Sequence, residues 1–404
     1  LDWRVVWARA GIALGVLALV AGVAVSGGAS VDPAVPRGFP GVVPAFLAKT
    51  MGERAGGADH RGYEARTADA QDRRWLARAR ALGPGAPRWA RAMYRRSLLV
   101  LRASVDRHGA AVAGARAGWA YVWPRDAGAV AIALASAGYQ AEARRIARFL
   151  LGLDLGAAAR FERSGEPVEG RGAQGDEAGW TTAAAKAVGI RARAGSADSA
   201  VTQAEGARTW RDRADYQEGD AGDYLGNALA AAFAAPKDAP ERRRRAGAIV
   251  RSFGTPRGLA RVADDPGSGL DTAAAWAVRP FALPGLYPIA RRTLLRLVAE
   301  RRTRFGLLPS ESWHGGDDPW TAPTAWCAWS LAALWRIDRR AGRPREAAAD
   351  RRAALSLMAD LRRASTRRGL LPERIDERTG APASTTPLAW SHAFAILAIR
   401  TLWP

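Results

Sequence analysis

The chain has 404 residues, 48% of them apolar, which excludes wholesale disorder and leaves room for one large core or two ordinary ones. Its formal net charge of +21 is carried almost entirely by arginine, with lysine only at Lys49, Lys186 and Lys237. The arginines fall as scattered pairs such as Arg95-Arg96 and Arg362-Arg363, with one denser run at Arg242–Arg245. They read as solvated helix faces and a preference for Arg over Lys, so no nucleic-acid partner is expected.

From Ala10 to Val31 no residue is charged, a run of about 22 positions, near the length that crosses a bilayer. Arg4 and Arg9 precede it and Asp32 follows, which predicts a cytoplasmic N-terminus and an exported remainder. Residues 1–31 are therefore expected to form a signal anchor that holds the chain on the membrane, or a signal peptide whose cleavage would leave it secreted. Residues 32–87 read as a Gly/Pro-rich linker and an N-terminal extension.

From position 88 the pattern is helical. Tyr94, Leu98, Leu101 and Val105 fall on one helix face. Further helices are predicted at about 125–137, 139–152, 177–190, 206–213, 223–235, 240–252, 270–279, 286–302, 319–340, 344–366 and 388–402. Alternating β-branched runs are almost absent, so a substantial sheet is not expected. Short loops between consecutive helices imply antiparallel hairpins. The fold class is all-α, and a closed ring of helical hairpins fits it.

The only cysteine, Cys327, lies between Trp326 and Trp329 in an apolar stretch and reads as a buried thiol. The four histidines lack any metal-ligand spacing, so neither a zinc site nor a cofactor is expected.

The chemistry gathers at loop–helix junctions. Tyr121-Val122-Trp123-Pro124-Arg125-Asp126 places two aromatics, a guanidinium and a carboxylate just before an apolar helix. Ring faces that meet tryptophan, and hydroxyls that meet an Arg–Asp pair, would suit a sugar subsite. Gln174-Gly175-Asp176-Glu177-Ala178-Gly179-Trp180 repeats the theme, as does Asp318-Pro319-Trp320. Asp215-Tyr216-Gln217-Glu218-Gly219-Asp220 adds an acid cluster. Near the C-terminus, Leu370-Leu371-Pro372-Glu373 leads through a Thr-Gly and Pro-rich turn to Pro387-Leu388-Ala389-Trp390-Ser391-His392.

Taken together and in this order, these motifs resemble glycoside hydrolase family 15, the glucoamylases and glucodextranases, over residues 88–404. The resemblance implies an (α/α)6 barrel, a six-hairpin toroid, and inverting hydrolysis of α-linked glucosides by two carboxylic acids without a metal. It casts Glu373 as the general base, with Ser391 as the hydroxyl that supports it. Trp123, Arg125 and Asp126 match the subsite for the non-reducing sugar. Tyr121, Gln174, Asp176, Trp180 and Trp320 are candidate substrate-binding residues from the same motifs. Glu218 stands where the family has its general acid, and Asp215, Asp220 and Asp223 are placed to supply a like charge. Gln217 departs from the family, which has tryptophan there. The partner implied is an α-glucoside oligosaccharide or polysaccharide. A saccharide-binding relative that has lost catalysis is the alternative.

Overall fold

The computed structural model describes residues 70–114, 116–190, 210–234 and 239–404. The apolar run 10–31 lies outside these residues. Among the described residues, no helix is long and apolar enough to cross a membrane.

Among the described residues, ten α-helices lie from position 88 onward. They are α1 (Arg88–Ser104), α2 (Pro124–Ser136), α3 (Gln140–Leu151), α4 (Glu177–Ala187), α5 (Leu225–Ala234), α6 (Ala239–Phe253), α7 (Tyr287–Glu300), α8 (Thr321–Arg340), α9 (Pro344–Ala364) and α10 (Ala389–Leu402). A 3-10 segment, Thr272–Ala277, takes a helix's place in the sequence between α6 and α7. The strands β1 (Ala260–Val262) and β2 (Asp265–Leu270) form one antiparallel hairpin, the only sheet among the described residues.

Two kinds of helix build two layers. Beyond its first turn, which carries Arg125 and Asp126, α2 is small and apolar on every side, and all of the helix except Ser136 is buried. α3 buries only Ala143, Ile146, Ala147 and Leu150, one stripe at helical spacing, and turns Arg144 and Arg148 away from it. A helix that is apolar all round must be covered on all sides, whereas a striped helix needs one partner. The chain meets both needs at once. α2, α4, α5, the 272–277 segment, α8 and α10 pack edge to edge, and α10 closes back onto α2. Around this inner ring, α3 packs on α2, α6 on α5, α7 on the 272–277 segment, α9 on α8 and α1 on α10.

Trp180, Trp276, Trp326 and Phe394 fill the middle of the ring, in edge-to-face pairs with centroids 5.3–5.7 Å apart. Cys327 is buried among them, and burial pushes its thiol well up.

The packed body reaches back to residue 70, inside the stretch read from the sequence as an extension. Trp75 stacks on Tyr139 at 3.9 Å, Asp72 pairs with Arg102 at 2.5 Å, and Leu82 is buried. The helix expected at 206–213 is not seen over 210–213, where the chain turns instead. Asp212 has φ +56°, its N–H donates to Asp223, and Arg213 bridges to Gly222.

Candidate active site

Three inner helices begin at one cavity. Trp123, Trp320 and Leu388 are the N-cap residues of α2, α8 and α10, and all three line it. Trp119, Arg125, Asp126, Arg171, Tyr216, Gln217, Glu218, Glu373 and Trp390 complete most of the wall. The two glutamates, remote in sequence, thus share one tryptophan-walled chamber at the N-terminal end of the ring.

Glu373 is held from several directions. Its backbone N–H donates to Thr385, and its carbonyl accepts from Thr321, which pins the segment between α8 and the turn before α10. On the carboxylate, Trp119 Nε1 donates to Oε1 at 3.4 Å and Ser384 Oγ donates to Oε2. Ser384, not Ser391, is therefore the hydroxyl on this carboxylate. Ser391 is wholly buried in the first turn of α10, hydrogen-bonded 2.8 Å from Thr321 Oγ1, and is not part of the cavity wall. It braces Thr321, whose N–H holds the Glu373 carbonyl at 3.0 Å.

Glu218 faces the same chamber on a turn with φ +56°. Trp123 Nε1 donates to its Oε1 at 2.9 Å, and Arg171 pairs with its Oε2. Of the acids expected to supply a like charge, Asp215 bonds Arg261 at 2.8 Å and Asp223 bonds Arg211, and the charge in contact with Glu218 is the Arg171 cation.

Arg125 is the buried hub. It donates to Gln174 Oε1, reaches Asp176 at 3.3 Å and Asp126 at 3.4 Å, and lies 4.6 Å over the Trp390 ring. Burial raises Asp126 to about 7 against the opposing pull of Arg125, with Asp176 and Glu373 adding to the rise. Gln174 and Asp176 thus orient the guanidinium from outside the chamber. Trp320 and Trp390 line the chamber, and their buried indole N–H groups have no acceptor among the described residues.

Two other sequence candidates lie elsewhere. Trp180 is wholly buried in the aromatic core, because its place in α4 turns it into the ring. Tyr121 stands beside the chamber, edge-on to Trp123 at 6.4 Å, under the Arg160 guanidinium. Gln217 lines the chamber and joins a polar network, donating to Tyr216 Oη at 3.0 Å.

Sequence reasoning missed Trp119, Arg171 and Ser384 as site residues. Trp119 had a signal, a tryptophan at a loop–helix junction. Arg171 and Ser384 stand in irregular segments whose paths no periodicity reveals.

No family model matches the chain, and no curated protein matches it. Solved structures do. A wild-type glycosidase superposes with a TM-score of 0.62 at 19% identity, covering 78% of this chain and 97% of that one. The glucoamylase of Saccharomycopsis fibuligera gives 0.62 at 13%, over 80% of this chain and 96% of its own. A bacterial glucoamylase complexed with acarbose gives 0.61 at 17%, over 88% and 61%. At these identities the likeness establishes the fold, the helical barrel shared by these glycosidases and glucoamylases.

Proposed function

From that shared fold, we propose that the chain is a glycoside hydrolase that cleaves α-linked glucosides with inversion, using Glu218 as general acid and Glu373 as general base. The observation that carries the reading is the meeting of these two glutamates in one tryptophan-walled cavity. An inverting enzyme needs one carboxyl to protonate the leaving oxygen and one carboxylate to activate water, about 6.5–9.5 Å apart. Trp119 and Ser384 aim Glu373, and Trp123 aims Glu218. The free indole N–H groups of Trp320 and Trp390, with Arg125 and Asp126, offer a sugar's hydroxyls both donors and acceptors.

The full chain, assayed on maltooligosaccharides, isomaltooligosaccharides and trehalose, is expected to release glucose. Glu373→Gln and Glu218→Gln should each lower kcat by about 10²–10⁴-fold with the fold retained by circular dichroism. No turnover on any α-glucoside, or variants as active as the parent, would contradict the assignment.

A second reading rests on a specific contact. Both Glu218 oxygens already hold donors, Trp123 and Arg171, as in a saccharide-binding relative without catalysis. Binding of these sugars with no turnover would select it.

We place the barrel outside the cytoplasm, tethered by the uncharged run 10–31 behind Arg4 and Arg9. Recovery of the full chain in the soluble cytoplasmic fraction would overturn the tether.

A further inference from the structure

Arg160 lies 4.7 Å over the Tyr121 ring and 5.7 Å over the Trp123 ring. Among the described residues no carboxylate pairs with it, and its Nε is buried without an acceptor. The same Trp123 donates its indole N–H to Glu218, whose other oxygen is paired with Arg171. Two guanidiniums therefore stand beside one tryptophan–glutamate unit, and only Arg171 has a carboxylate partner there. Burial, and then the repulsion of Arg160, hold Arg171 below its ordinary value. Like charges brought together in a partly buried place are a cost unless an anion joins them.

The backbone around Arg171 suits a side chain that moves. Gly170 has φ +87°, a conformation that only glycine adopts readily, and Gly172 follows. A Cβ at either glycine would meet nothing within 4 Å, so neither is small for packing reasons. Arg171 stands in the shared wall of two spaces. The inner chamber holds about 60 Å³, room for about two waters. The outer one holds about 560 Å³, within the usual range for a ligand. Glu218 lines both spaces as well, beside Arg171.

We propose that Arg160 and Arg171 form a subsite for a negatively charged substituent, a carboxylate, sulfate or phosphate, on the leaving-group side of the saccharide. The inference takes its site from the hydrolase reading above, while its charge preference stands apart from it. The substituent gives Arg171 a new partner and draws it off Glu218. That step matters chemically, because an oxygen occupied by Arg171 cannot present a proton to a leaving group. Arginine suits this role, since its planar fork matches all three anions bidentately. The net charge of +21 steers such anions toward the chain.

The test compares matched α-glucosyl disaccharides whose second sugar carries a neutral hydroxymethyl, a carboxylate, a sulfate or a phosphate at one position. The full chain is used for both turnover and equilibrium binding. The expected result is at least a tenfold higher kcat/KM for one or more charged members, shrinking as salt rises. The arms show which anion is recognised. Arg160→Gln should bring the charged-to-neutral ratio toward one, and Arg160→Lys should keep part of it. Where a variant fails to fold, the salt dependence of the parent protein decides. Equal or better use of the neutral disaccharide would overturn the proposal and leave the hydrolase reading standing. If nothing is hydrolysed, calorimetric binding decides: preference for charged members upholds the subsite while the hydrolase reading falls. Equal binding, or none, sinks the subsite.

Discussion

At Glu218 the backbone enters the left-handed region, φ +56°, which costs a residue with a Cβ about 1–3 kcal/mol. The turn is closed by its own N–H, which donates to the Asp215 carbonyl, and by the Asp215 carboxylate, which accepts from Gln217 N–H. Asp215 is in turn fixed by Arg261, so the strained residue is held from beneath. Such strain persists where surrounding structure over-determines it, and here it aims a carboxylate at the Trp123 indole. Glu177 supports the other side of the site. Its oxygens accept from Gln174 N–H and Gly156 N–H, each at 3.0 Å, and so fix the loop that presents Gln174 to Arg125. Burial raises Glu177 from an ordinary 4.5 to about 8, against those two hydrogen bonds. The folded state therefore keeps a proton that the unfolded chain has lost. The stability this contributes is complete below about pH 4.5 and is lost as pH rises through about 8. The Tm of the parent, relative to that of Glu177→Gln, should fall between pH 5 and pH 9. A difference independent of pH would contradict the buried-acid account.

The inner ring depends on helices approaching one another more closely than side chains permit. Glycines make the contacts. A Cβ on Gly128 of α2 would lie 2.9 Å from the Trp180 carbonyl of α4, and one on Gly179 of α4 only 2.7 Å from Ala230 Cα of α5. One on Gly226 of α5 would strike the Trp276 ring at 2.8 Å. Gly179→Ala is thus expected to destabilise the protein by about 2 kcal/mol or more through backbone displacement. Gly85→Ala, where a Cβ would meet nothing within 4 Å, should stay within about 0.5 kcal/mol. Denaturant midpoints of the two variants check this; equal midpoints would mean that the ring gives way without cost.

The outer helices were legible in the sequence because their stripes are periodic, as Ala143, Ile146, Ala147 and Leu150 show. The inner ones appear only as apolar runs; a closed ring fits the order of hairpins, but the contact that closes it, α10 on α2, joins segments too far apart in the chain for periodicity to reveal. The same division holds at the site. Trp123, Arg125, Asp126 and Trp320 stand at or just before helix starts, so a motif could place them, and Glu373 follows the Leu-Leu-Pro run in an irregular segment. Ser391 and Trp180 stand within a turn of the same starts but face inward, a matter of helix phase that the motif does not encode. The sequence predicts a full helix at about 270–279; Asp271 instead accepts from Ala273 N–H and caps the short 3-10 segment Thr272–Ala277.

Across the whole molecule, arginine does two kinds of work. Many guanidiniums neutralise buried acids away from the cavity: Arg291 and Arg343 meet Asp338, and Arg302 meets Asp360. These support the scattered, structural reading of the charge. Arg160 and Arg171 differ, since Arg171 lines the cavity on Glu218 and Arg160 lies over the Trp123 ring that bonds the same glutamate. The closed ring explains why residues from distant parts of the chain meet there: α2, α8 and α10 all begin at the same chamber, and Glu218 enters on the turn before α5.

The most direct measurement of the central claim is the anomeric form of the sugar first released from an α-glucoside, followed by proton NMR as hydrolysis proceeds. Two glutamates acting on opposite faces of one glycosidic bond, with a water between Glu373 and the sugar, predict that the β-anomer appears first and that Glu373→Gln abolishes it. First release of the α-anomer, or no release by the parent protein, would contradict the account.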